Sequence, residues 1–293
     1  MSEAKTAINL RGVTKNYGNK RGITDVSLSV KAGEIFGFLG PNGAGKTTTI
    51  RCIMDFIRPS KGTITVFGAN SHINSVPIKA QIGFLPSDPQ LYQRWTGQEH
   101  LSLYSKLRGP ADMSDTVNRL GLNLDVQSGH LSTGNKQKLS LLLAMYGNPK
   151  ILVLDEPTKG LDPILQQEIY TLLNEYKHRG GTVFLSSHNL PEVEKICDSI
   201  GVIKEGKIVA RETMQSIRDM NIHIVSFSSE STINQADFNL ANTEVLHHSE
   251  KHIILKAKGD LSPLMKAIAK YKVKDLEVTH ASLEDIFMEF YKD

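Results

Sequence analysis

The sequence predicts an α/β fold, a mostly parallel sheet with crossover helices, followed by a small α+β unit. Strand-like apolar runs alternate with helix-like stretches through the first 215 of the 293 residues. Residues 35–39 and 151–154 are continuously apolar, as strands covered on both faces are. Near residue 215 the composition shifts, and five of the ten histidines (His223, His247, His248, His252 and His280) lie beyond it. The expected division is therefore 5–215 and 216–293, with a helical insertion at about 88–147.

Residues 8–13 and 23–30 alternate loosely and read as strands with one solvated face. Gly18, Asn19 and Lys20 form the turn between them, and 31–34 turn the chain into the buried run 35–39. A Gly-rich loop follows, then a helix from Lys46 with Ile50, Ile53, Met54 and Ile57 on one face, ended by Pro59 and Gly62. Residues 63–67 and 82–85 are short strands, the second stopped by Pro86. Helical patches with Gly and Pro between them fill 90–130, and a helix is expected over 132–146. Strand 151–154, helix 163–177, strand 182–185 and a short helix 191–197 come next. Residues 200–203 and 207–209 flank Glu205 and Gly206, a hairpin signal. The C-terminal unit reads as strand 222–228, hairpin 244–248 with 252–256, helix 261–270, strand 275–279 and helix 282–291. Leu283, Ile286, Phe287 and Phe290 share one face of that last helix.

Hydrophobic residues make up 40% and charged residues 22%, an ordinary soluble balance. The net charge of +3 is too small to argue for nucleic acid, which calls for a clustered basic stripe. Two cysteines, Cys52 and Cys197, make no disulfide framework, so a reducing compartment is expected and both read as small buried hydrophobes. No run reaches the roughly 18 apolar residues that cross a bilayer. The N-terminus has an early acid and no apolar stretch of the kind a signal peptide needs. These observations exclude a secreted mini-protein, an integral membrane protein and a disordered tail.

Gly40, Pro41, Asn42, Gly43, Ala44, Gly45, Lys46 and Thr47 match G-x-x-x-x-G-K-S/T, with a buried strand before and a helix after. The glycines let backbone N–H groups converge on phosphate oxygens, and the helix N-terminus favours an anion. Lys46 brings charge to the β- and γ-phosphates, and Thr47, followed by Thr48, offers a hydroxyl to Mg²⁺. Strand 151–154 ends in Asp155 and Glu156, a pairing that is informative only with the Gly-rich loop upstream. Asp155 suits the Mg²⁺ shell through water, and Glu156 could polarise an attacking water.

Between these motifs stands Leu131-Ser132-Thr133-Gly134-Asn135. Here the chain resembles the nucleotide-binding subunit of an ATP-binding cassette (ABC) transporter, whose signature is usually LSGGQ. Thr133 and Asn135 depart from that form. The resemblance implies the P-loop ABC ATPase fold: a parallel-sheet core, an antiparallel β subdomain and a helical subdomain. It also implies ATP and Mg²⁺ as cofactors and ATP hydrolysis as the activity. Ser132, Thr133 and Gly134 would meet the γ-phosphate held by a second copy, giving a head-to-tail homodimer (or pseudo-dimer). Taken alone, the same residues read as a simple N-cap before an amphipathic helix.

By the same resemblance Tyr17 stacks on adenine, although a surface Tyr in a turn reads the same. Gly160-Leu161-Asp162 resembles the D-loop that contacts the other subunit, with Lys159 where Ser is frequent. His188 resembles the switch histidine at the γ-phosphate. The family's Gln beside the metal is replaced by Ser87, whose shorter hydroxyl reaches Mg²⁺ only through water, and Asp88 is an alternative. Trp95, just beyond, is either an exposed anchor for a transmembrane partner or part of the insertion's core. Residues 280–288 resemble the SLEDIF ending of ATPases from ABC-2 type exporters of drugs and antimicrobial peptides. The histidine spacings fit no tetrahedral metal pattern.

The expected function is an ATP-hydrolysing subunit that powers a separate transmembrane permease, with no nucleic acid as partner, exporting a drug, lipid or antimicrobial peptide. It would sit on the cytoplasmic face of the cell membrane, peripheral through the permease. The alternative is a soluble ABC ATPase acting on ribosomes or DNA. That class usually carries two cassettes or a long coiled coil, and this chain shows one cassette and no sustained heptads. A P-loop kinase or GTPase fits less well, because the signature and His188 follow in the family's order.

Overall fold

The computed structural model describes residues 5–18 and 20–286, in two units that divide between Arg211 and Glu212. In chain order the first unit holds β1 (Thr6–Tyr17), β2 (Lys20–Lys31), β3 (Ile35–Leu39), α1 (Lys46–Ile53), β4 (Lys61–Val66), β5 (Ala69–Asn70), α2 (Ser75–Lys79) and β6 (Ile82–Leu85). It continues through α3 (Gly97–Arg108), α4 (Ser114–Arg119), α5 (Thr133–Met145), β7 (Ile151–Asp155), α6 (Pro163–His178), β8 (Thr182–Ser187), α7 (Leu190–Ile196), β9 (Ser199–Lys204) and β10 (Lys207–Thr213), the strand in which the division falls.

An antiparallel sheet of order β2-β1-β4-β5 sets Leu10 opposite Leu28 and Ile64. β1 and β2 run further than their alternation suggests, because Gly12 and Asp25 adopt left-handed backbone where the register shifts. Such bulges break the period of two without ending the strand.

The second sheet has the order β10-β9-β3-β8-β7-β6, and β3, β6, β7, β8 and β9 run parallel wherever they adjoin. All five residues of β3 and of β7 are buried, as their continuous apolar runs predict. Phe36 stacks on Phe184 with ring centroids 5.7 Å apart. Burying side chains of this size contributes about 1.5–3 kcal/mol each. Because the strands are parallel, their carboxyl ends gather on one edge, where an α/β sheet of this kind binds ligands.

α1 is shorter than predicted. Met54 caps it, Asp55 turns left-handed (φ 49°), and Ile57 reaches the core from an irregular turn. α2 carries no apolar stripe beyond buried Ile78, so the sequence reading missed it. The stretch expected as the helical insertion, about 88–147, contains α3, α4, a 3-10 turn at Ser128–His130 and α5. Thr96 and Glu99 open α3 with a reciprocal capping box. Arg119 ties α4 to α6, with Nε 2.6 Å from Glu168 and Nη1 2.7 Å from Glu175. Trp95 is half-buried within this insertion, its ring 4.6 Å from that of Tyr92.

The second unit contains α8 (Met214–Asp219), β11 (Ile222–Ser229), β12 (Thr243–His248), β13 (His252–Lys258), α9 (Ser262–Ile268) and β14 (Val273–His280). Its sheet has the order β12-β13-β11-β14, and Phe227, Phe238, Leu255 and Ile268 lie in its own core. The predicted closing helix begins at 283–286, with Ser282 capping Asp285. Phe287, Phe290 and the rest of that helix lie outside the described residues. Among the described residues, no helix is long and apolar enough to cross a membrane, and no cluster of three metal-ligating side chains occurs.

Candidate active site

The chain leaves β3 at Gly40, where an added Cβ would lie 2.4 Å from the Ile203 carbonyl oxygen. Gly43 and Gly45 take left-handed backbone at φ 80° and 113°, which a side chain would strain. The β9–β10 turn braces this loop, with the Gly206 N–H donating to the Ala44 carbonyl at 2.9 Å. α1 then begins at Lys46 without a side-chain cap, so its first-turn N–H groups have no partner within the helix.

Pro41, Asn42, Gly43, Gly45, Lys46, Thr47, Thr48, Ser87 and Glu156 line one cavity of about 440 Å³. Ala44 turns inward and is buried. Lys46 is also buried; its Nζ donates to the carbonyls of Gly40 at 2.6 Å and Pro41 at 3.2 Å. Burial lowers its pKa, against the pull of Glu156 and Asp155. The Glu156 carboxylate stands 3.9 Å from Lys46 Nζ.

At the end of β7, Asp155 accepts the Thr47 hydroxyl at 2.9 Å and, with its other oxygen, the Ser186 hydroxyl. Ser87 and Asp88, after β6, face a second cavity shared with Thr47 and Asp155. Asp88 also accepts Gln90 Nε2 at 2.9 Å. Thr47, Asp155 and Ser87 thus converge, and they offer only hard oxygen donors, a set that suits Mg²⁺.

Glu156 adopts φ 54°, a strained conformation for a non-Gly residue and one that clusters at functional sites. Its N–H donates to Ser186, and its Oε1 lies 3.0 Å from His188 Nδ1. Lys159 Nζ approaches the other carboxylate oxygen at 3.7 Å.

The remaining predicted residues do not line the cavity of the Gly-rich loop. Tyr17, at the far end of β1, is 39% exposed, and the Lys15 ammonium lies over its ring at 5.6 Å. Ser132 caps α5 by accepting the Asn135 N–H, and Thr133 opens that helix. Gly134 faces Leu161 and Gly160. Asp162 caps α6 by accepting the Leu165 N–H at 3.0 Å, with Pro163 at the first helical position.

Two side chains that the sequence reading did not single out support this site. Gln137 of α5 is buried and donates through Nε2 to the carbonyls of Glu156 at 3.1 Å and Pro157 at 3.2 Å. Glu192 of α7 is buried and accepts two hydroxyls. Its only signal was a carboxylate beside the apolar Val193 and Ile196, which a solvated helix face also explains.

A phosphate-binding loop, an acidic strand end and a histidine gathered on one sheet edge define a P-loop nucleoside-triphosphatase. The family profile described as ABC transporter matches residues 23–159. The chain is 33% identical to the bacitracin transport ATP-binding protein BcrA of Bacillus licheniformis, over 97% of its own length and 96% of that protein. It is 35% identical to the Nod factor export ATP-binding protein I of Mesorhizobium japonicum, over 75% of this chain and 67% of that protein. A solved ATP-binding subunit of an ABC transporter matches with TM-score 0.69 at 30% identity, over 73% of this chain and 92% of that one. The chain belongs to the ATP-binding proteins of the ABC transporter family, and it is an ATPase. The α/β fold expected from the sequence is that of the family's cassette.

Proposed function

We propose that this ATPase drives export through a separate membrane-spanning permease, to which it binds on the cytoplasmic face of the cell membrane. Likeness to a bacitracin transport ATP-binding protein over nearly the whole chain supports a drug, lipid or antimicrobial peptide as cargo. The observation that carries the catalytic reading is the meeting of Glu156 with His188 at 3.0 Å, beside buried Lys46.

In this reading the backbone N–H groups of the loop and Lys46 hold the β- and γ-phosphates of ATP, and Thr48 adds its N–H at the helix start. Thr47 would hold Mg²⁺, with Asp155 and Ser87 in its shell through water. Bound Mg²⁺ supplies positive charge to the phosphoryl oxygens. Glu156 takes the proton of the attacking water as general base, and His188 fixes that carboxylate and touches the γ-phosphate. Tyr17 stacks on adenine. Two copies close head-to-tail, so that Ser132, Thr133 and Gly134 at the start of α5 in one copy face the γ-phosphate held by the other. Asp162 follows the segment between the copies. Closing and opening move permease segments seated near 87–95.

Purification in detergent tests the partner. A hydrophobic membrane protein in fixed ratio, with ATP hydrolysis stimulated in the complex, is expected. Ribosomes or DNA in its place would overturn the transport reading.

A further inference from the structure

Near Glu156 and His188 lies a carboxylate that the proposed reaction does not use. Glu192 sits in the first turn of α7 and is 3% exposed. Its Oε1 accepts the Thr158 hydroxyl at 2.6 Å, and its Oε2 accepts the Ser187 hydroxyl at 2.5 Å. Thr158 stands two residues after Glu156, and Ser187 immediately before His188. Both of those side chains are buried as well. The Ser187 hydroxyl also accepts the Asn189 N–H at 2.9 Å, and Asn189 caps α7, so the second anchor is fixed to the helix that carries Glu192.

An apolar side chain at 192 would fill this space without the desolvation penalty of a buried carboxyl. Burial does push the Glu192 carboxyl above its usual range, while the Ser187 and Thr158 hydroxyls and nearby His188 pull it down and Glu156 pushes it up. What the carboxyl group adds, and an apolar group cannot, is a two-point tie between the loop after β7 and the last residue of the neighbouring parallel strand β8. β7 and β8 deliver Glu156 and His188 from separate stretches of chain, 32 residues apart. The Glu156–His188 contact itself involves a histidine side chain that is 54% exposed and that packing alone does not hold in place.

We propose that Glu192 is a positioning residue for ATP hydrolysis. By holding Thr158 and Ser187 at fixed separation, it sets the geometry of the Glu156–His188 pair. This rests on the reading of that pair as catalytic. Glu192 makes no hydrogen bond to Lys46, Thr47 or the Gly-rich loop among the bonds described, so its effect falls on turnover and not on nucleotide binding.

Steady-state ATPase assays on the full chain test this, with thermal melting to check folding. Glu192→Ala is expected to lower kcat about 10- to 100-fold, the scale of an ångström-sized misplacement, with KM for ATP within about twofold. Glu192→Gln keeps the shape and can still accept one hydroxyl while donating to the other, so it is expected to recover part of that loss. Ser187→Ala and Thr158→Val each cut one arm of the tie. Each is expected to lower kcat at constant KM, and adding Glu192→Gln to either is expected to cost less than the product of the separate losses. If Glu192→Ala does not fold, the Gln variant and the two hydroxyl variants decide. Parental kcat in folded variants, or a loss seen only in KM, overturns the proposal. Glu156→Gln separates the two readings: if it too turns over at the parental rate, the catalytic pair is misassigned. If it is inactive while the Glu192 variants keep parental kcat, only the tie fails.

Discussion

His188 Nδ1 stands 3.0 Å from Glu156 Oε1, joining the loop after β8 to the end of β7 across 32 residues of sequence. The contact holds an imidazole against the carboxylate of the proposed base. His188→Ala is therefore expected to lower kcat about 100-fold, at the lower end of what positioned proton-transfer groups contribute. KM for ATP should change little. Steady-state hydrolysis measures both, and a parental kcat would make the histidine purely structural.

Lys46 is buried with its ammonium on two backbone carbonyls and a carboxylate 3.9 Å away. Its charge is placed for phosphate, and a charge-assisted hydrogen bond contributes about 1.5–3 kcal/mol. Lys46→Ala should then weaken ATP binding about 10- to 100-fold. Titration with a fluorescent ATP analogue reads this, and an unchanged affinity contradicts the role.

Thr47 and Asp155 share a hydrogen bond of 2.9 Å where the metal shell is proposed. Removing divalent cations with a chelator should abolish hydrolysis, and Mg²⁺ should restore it. Asp155→Asn removes the one carboxylate charge of the proposed metal set, so half-maximal activity should need at least about tenfold more Mg²⁺. Hydrolysis at full rate in chelator would remove the metal from the account.

Ser87 lines both the phosphate-loop cavity and the one beside Asp155. A longer amide here would reach the metal site directly. Ser87→Gln should change permease-stimulated hydrolysis more than the basal rate, read by comparing the isolated chain with its complex. Equal basal and stimulated rates in both proteins would contradict this.

The parallel sheet was legible because β3, and β7 up to its final Asp155, carry no polar side chain, which only a doubly covered strand tolerates. The Gly-rich loop and the Asp155–Glu156 strand end were legible because phosphate and metal chemistry require those residue types in that order. The end of α1 was not, since Ile57 reaches the same core from a turn as it would from another helical turn. Nor was Glu192, whose partners Thr158 and Ser187 become its neighbours only when β7 and β8 lie side by side. Ser132 and Tyr17 were named from resemblance. Within one chain, the first is an N-cap and the second an exposed ring under Lys15.

The assignment of Glu156 as the base is the centre of this account. Glu156→Gln keeps the size of the side chain and removes its ability to take a proton. Rapid-quench measurement of ATP hydrolysis, with sedimentation of the same sample in ATP and Mg²⁺, tests it directly. The account predicts turnover reduced at least about 100-fold, with ATP still bound and a stable dimer accumulating. Hydrolysis at the parental rate would contradict it.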